Sequence, residues 1–138
     1  MLSLKKEGKM YFDFEKKDES KLVLKRAGLQ PGSGEERLLF WASKGTQLND
    51  YAFYDCTYDG EGNPTNVWRH FFRFPKYEMK EDGFICVYTH PGNRNATMNG
   101  KRILTYRMDN DNDILNDGGD VVCVIKIRST VAYELEGE

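Results

Sequence analysis

Tyr51-Ala52-Phe53-Tyr54-Asp55-Cys56-Thr57-Tyr58, then Asp59-Gly60-Glu61-Gly62-Asn63-Pro64, then an aromatic run over 67–74, is the stretch that decides the fold class. Tyr51, Phe53 and Asp55 alternate with Ala52, Tyr54 and Cys56. A period of two is that of a strand, whose successive side chains point to opposite faces. In the second run Trp68, His70, Phe72 and Phe74 share one parity and hence one predicted face. The Asp59-Gly60 pair between the runs is a hairpin signal. Pro75 stops the second run, because proline has no N–H to give to a ladder.

Outward from this hairpin the same unit recurs. Short apolar or aromatic runs at 10–14, 22–25, 37–42, 84–88, 103–106, 121–127 and 131–135 read as further strands. The run at 37–42 carries Leu38, Leu39, Phe40 and Trp41 in succession, as a strand buried on both faces would. The run at 121–127 is the most apolar and is expected in the core. Turn clusters separate them: Gln30-Pro31-Gly32-Ser33-Gly34, residues 45–50, Glu81-Asp82-Gly83, a loop over 90–100 and an acidic, Asn-rich loop over 109–119. Eight or nine short strands at this spacing predict an all-β sandwich or barrel. No alternation of strand and helix patterns is present, which disfavours a parallel sheet. Residues 1–20, rich in Lys and Glu, are expected to be an N-terminal extension or an edge strand, and 21–138 the domain.

The bulk composition bounds the function. The chain has 138 residues, 30% charged and 39% hydrophobic, with a net charge of -2. That length suits one domain with its own core, and that charge balance lacks the basic footprint of a nucleic-acid binder. Thirteen per cent aromatic residues favours sheets. No apolar run reaches membrane-helix length, so no membrane insertion is expected, and residues 1–9 lack the apolar stretch of a signal peptide. The expected compartment is the cytoplasm. Three cysteines, Cys56, Cys86 and Cys123, form no disulfide framework and no zinc motif. They read as small strand residues, with a bridge between Cys86 and Cys123 as the alternative.

Between residues 35 and 127 four segments carry a resemblance. They are Glu36-Arg37-Leu38-Leu39-Phe40-Trp41; Gln47-Leu48-Asn49-Asp50-Tyr51-Ala52-Phe53-Tyr54-Asp55; Phe72-Arg73-Phe74-Pro75 with Lys80-Glu81-Asp82-Gly83-Phe84-Ile85-Cys86-Val87-Tyr88; and Asn116-Asp117-Gly118-Gly119-Asp120-Val121-Val122. Their order and spacing resemble the lamin tail domain family. Tyr51 and Asp50 stand where that family has Trp and Gly, and aliphatic Ile114 or Leu115 where it has Trp before the Asn-rich turn. The resemblance implies an immunoglobulin-like antiparallel β-sandwich that works as an interaction module.

The polar residues point the same way. No nucleophile elbow and no zinc-protease helix motif is present, so the chain is not expected to be an enzyme or to need a cofactor. His70 reads as a packed strand residue and His90 as an exposed loop residue. Asp109, Asp111 and Asp113 alternate as calcium ligands do, yet Ile114 occupies the place where an EF-hand loop needs Gly. They are candidates for an irregular metal site only. Arg94, Lys101, Arg102 and Arg107 form a basic cluster suited to an acidic surface. The expected partner is a protein, met through sheet edges or loops, with Trp68, His70, Tyr77, Arg94 and Arg102 as candidate contacts. An exposed edge near 10–14 would also allow a homodimer. The alternatives are a carbohydrate- or calcium-binding sandwich, with stacked aromatics or the acidic loop as the site, and a nucleic-acid-contacting module.

Overall fold

A computed structural model of the chain describes residues 3–5, 11–14, 21–29, 35–92, 95–110, 113–115 and 121–137. Eleven strands are present among the described residues. They are β1 (Ser3–Lys5), β2 (Tyr11–Phe14), β3 (Leu22–Leu29), β4 (Glu36–Ala42), β5 (Tyr51–Tyr58), β6 (Pro64–Arg73), β7 (Gly83–Tyr88), β8 (Thr97–Met98), β9 (Lys101–Arg102), β10 (Leu104–Arg107) and β11 (Val121–Lys126). One 3-10 turn, Leu48–Asp50, precedes β5. The larger sheet runs β1-β2-β3-β4-β7-β10, a second runs β11-β5-β6, and β8 pairs with β9 alone. The two larger sheets lie face to face over one core, so the chain is the expected all-β sandwich.

Alternation explains which side chains meet there. From β4 come Leu38, Phe40 and Ala42; from β7, Ile85 and Val87; from β5, Tyr51 and Phe53. Phe72, Val122, Val124, Leu104 and Tyr106 complete the layer from β6, β11 and β10. Phe74, just beyond β6, sits at its centre. Its ring lies edge-on to Phe40 at 5.3 Å and to Phe72 at 5.3 Å, and near Phe53 and Tyr106 at 5.9 Å each. Offset and edge-to-face aromatic pairs add roughly 0.5–1.5 kcal/mol beyond the area they bury.

A second, smaller cluster covers the outer face of the larger sheet. Leu39, Cys86, Tyr88 and Ala96 pack there with Phe84, Met98 and Ile103. This burial accounts for the unbroken run Leu38-Leu39-Phe40: both faces of β4 are covered, one by the opposite sheet and one by the β8–β9 hairpin and its flanks. That hairpin turns on Asn99 (φ 52) and Gly100 (φ 79), the two positive φ values that a two-residue turn of the I′ type requires.

The structure departs from the expectations in five places. Residues 97–98 of the expected loop pair with 101–102, just beyond it, as β8 and β9. The strand at 10–14 is not the edge, because β1 pairs outside β2. The apolar strand β11 is an edge strand and only half-buried, because its sheet has three strands and β5 occupies the middle. β10 pairs parallel with β7, Leu104 opposite Ile85 through Arg107 opposite Tyr88; the segment between them returns over the sheet face, which places the two strands in the same direction. Finally, 131–135 forms no strand. Val131, Tyr133 and Leu135 alternate as a strand should but are 71%, 84% and 89% exposed, and no edge pairs with them among the described residues.

Candidate functional site

The polar centre of the molecule lies where β4 begins and where β7 and β10 end. Alternation along β4 places Glu36 on the same face as Leu38, Phe40 and Ala42. A carboxylate on that face must find donors, because a buried charge without them is costly. Glu36 is 1% exposed and finds three. Its Oε1 accepts the Ile114 N–H at 2.7 Å and the Thr89 hydroxyl at 2.8 Å, and its Oε2 accepts the Leu115 N–H at 2.7 Å. The side chains of Ile114 and Leu115 meanwhile join the core. Glu36 thus ties the middle of the acidic loop to the sheet.

His90 stands beside this knot. Its Nδ1 is 2.8 Å from the Asn110 carbonyl oxygen and its Nε2 is 2.6 Å from Asp113 Oδ1. A carbonyl can only accept, so Nδ1 donates; an imidazole that also donates at Nε2 carries both protons and a positive charge. The Asp113 hydrogen bond raises the His90 pKa above its ordinary 6.5, burial opposes it, and the Asn110 carbonyl adds to the rise. The sign follows. A histidine whose folded pKa lies above its unfolded value stabilises the fold fully below about pH 6.5 and loses that contribution as pH rises through the folded value. We therefore expect NMR titration to place the His90 midpoint above 6.5, and Asp113→Asn to lower it. The stability gap between wild type and that variant should be wider near about pH 6 than near about pH 8.5; an equal gap would contradict the assignment.

Glu36, His90 and Asp113 each offer a ligand atom within 4.8 Å of the others. A metal bound at His90 Nε2 would take the place of the proton shared with Asp113. The carboxylate of Glu36 is already occupied by three donors, so the arrangement is built first as a hydrogen-bonded latch.

A cleft of about 420 Å³ opens against the latch, lined by Glu35, Glu36, Tyr88, His90, Pro91, Gly92 and Arg107. The Arg107 guanidinium lies over the Tyr88 ring, 5.9 Å from its centroid. Its Nη2 is buried and has no hydrogen-bond partner among the described residues. Buried donors are rarely left so.

A second polar pair lies on the smaller sheet. Asp55, fully buried, is 2.7 Å from Nδ1 of His70. His70 has φ 50, in the left-handed region, at a place where the β5–β6 register slips between Phe53 and Asp55. Asp55 Oδ2 has no partner among the described residues.

The candidate contacts fall apart in space and role. His70 is half-buried against Asp55, and Tyr77 packs against the core. Arg102 is exposed on β9. Arg94, Asp111 and the side chain of Trp68 lie outside the described residues. Asp109 is exposed, whereas Asp113 serves His90. His90, expected in an exposed loop, is half-buried and held at both nitrogens, because the loop after β10 folds back on it. Glu36 was legible only as part of a strand motif; its parity with Leu38 and Phe40 was the signal of its burial. Comparison of the chain with protein-family models, with curated proteins and with solved structures finds no match.

Proposed function

We propose that this chain is a non-catalytic interaction module, akin to a lamin tail domain, that holds a protein partner by an acidic side chain seated in the cleft beside Arg107 and His90. The observation that carries this reading is Arg107 in the cleft wall, its buried Nη2 without a hydrogen-bond partner among the described residues, so that a small turn of the guanidinium toward the cleft would pair it. A guanidinium presents paired N–H groups in a plane that fits a carboxylate, and such charge-assisted bonds are about twice as strong as neutral ones. His90 stands on the same wall with both N–H groups already given to Asn110 and Asp113, so it adds charge there but no further donor. Glu35 also lines the cleft, which suits a single carboxylate better than a run of phosphates. The order of the strand motifs between 35 and 127 supports the family likeness, and the near-neutral net charge supports a protein over a nucleic acid as partner.

The test is fluorescence anisotropy with labelled peptides that carry Glu or Asp, against counterparts with Gln or Asn. Acidic peptides should bind more tightly. Arg107→Gln should weaken them about tenfold or more, in line with the roughly 1.5–3 kcal/mol of a hydrogen bond to a charged group. Binding should also weaken as pH rises through the His90 midpoint. Equal affinity for acidic and amide peptides, or for wild type and Arg107→Gln, would remove the cleft from the proposal.

A further inference from the structure

Cys56 and Cys123 lie on neighbouring strands with their sulfurs 4.0 Å apart. The β5–β11 register sets Val121 opposite Cys56 and Tyr54 opposite Cys123, so the two thiols are diagonal neighbours. Phe53, Val122 and Val124 face the core; by alternation the thiols share the opposite face. Diagonal positions of an antiparallel pair lie about 7–8 Å apart, near the outer limit for a disulfide, and here the two side chains lean together to bring the sulfurs into contact. Cys56 is fully buried and Cys123 half-buried, so a reagent from solvent meets Cys123 first.

We propose that Cys56 and Cys123 are a reversible dithiol–disulfide site, closed by a hydroperoxide. A disulfide needs the sulfurs at about 2.05 Å, so closing the 4.0 Å gap takes side-chain rotation together with a small shift of the edge strand β11. The Cys123 thiolate attacks one peroxide oxygen; the O–O bond breaks, the other oxygen leaves as water or an alcohol, and Cys123 becomes a sulfenic acid. The Cys56 sulfur then attacks that sulfur. The S–S bond forms, the S–O bond breaks, and hydroxide leaves with the Cys56 proton as water. Two thiols are oxidised by two electrons and one peroxide is reduced. Burial raises the Cys56 pKa, in keeping with the second role and not the first. A thiol such as dithiothreitol reverses the bond by exchange.

Cys86 is the internal control. It packs on the outer face of the larger sheet, with Leu39 and Tyr88, on the far side of the core from Cys123. The expected alternative bridge from Cys86 to Cys123 is thereby excluded. Burial pushes its thiol up to about 11, which leaves it protonated and slow.

The experiment treats the folded full chain with a small excess of hydrogen peroxide, alkylates remaining thiols in denaturant, and maps peptides by mass spectrometry with and without reductant. The expected product is one peptide pair joining Cys56 to Cys123, about 2 Da lighter than the separate thiols for the two hydrogens lost, with Cys86 alkylated. Dithiothreitol should restore both thiols. In Cys56→Ser, Cys123 should instead proceed to sulfinic acid or link two chains. Persistence of an alkylatable Cys56 in wild type while Cys123 over-oxidises, or a bridge that includes Cys86, overturns the proposal.

Discussion

Replacing Glu36 by Ala is expected to lower the thermal midpoint by about 10–20 °C. The substitution strands the buried N–H groups of Ile114 and Leu115 and leaves the Thr89 hydroxyl only the longer bond to the Glu36 carbonyl oxygen at 3.4 Å. Removing one side of a buried charged network costs about 3–5 kcal/mol, since the groups left behind lose both partner and water. At this chain length each kcal/mol moves the midpoint by about 3–5 °C. Glu36→Gln keeps one accepting oxygen but sets an amide N–H₂ against a backbone N–H, so about half of the loss should remain. Differential scanning calorimetry is the direct measurement. A drop under about 3 °C for the Ala variant would mean that the latch contributes little.

The second large effect is expected at Phe74, where Ala should cost about 3–5 kcal/mol. The ring meets Phe40, Phe53, Phe72 and Tyr106, and these come from both sheets. A void there opens the interior at its centre, where neither sheet can close over it. Phe74→Leu, which keeps much of the volume, should cost less than half as much. Val131→Ser, at a site 71% exposed, should stay within about 0.5 kcal/mol of wild type. Urea denaturation of the three variants separates these cases; an Ala cost near that of Val131→Ser would show that the aromatic cluster is not the keystone described here.

Strand periodicity made much of this architecture legible. The alternation of Tyr51 and Phe53, the run Leu38-Leu39-Phe40 and the stop at Pro75 all report local geometry, and local geometry is what a period of two encodes. Asn99-Gly100 was just as readable as a hairpin turn, but its strands are two residues each and carry no periodicity. Edge position was not legible. The apolar content of β11 pointed to the core, which Val122 and Val124 meet, but carried no sign of its edge place, because pairing order depends on contacts distant in sequence. The same limit hid the pairing of Cys56 with Cys123, and it hid the site. His90, Asp113, Arg107 and Glu36 are spread over nearly eighty positions, and only the return of the chain after β10 brings them together. The alternation at 131–135 shows the converse: a strand pattern needs an edge to pair with, and among the described residues none meets it.

The Glu36 latch also has a meaning in time. Its two backbone partners lie 78 and 79 positions further along the chain. Closing a loop of that length costs about 4 kcal/mol in chain entropy, counting only the length-dependent part. A ribosome therefore releases β3 and β4 long before the residues that complete them exist. Until Leu115 has emerged, the carboxylate on the inner face of the nascent sheet has water in place of the two N–H groups that it later accepts from.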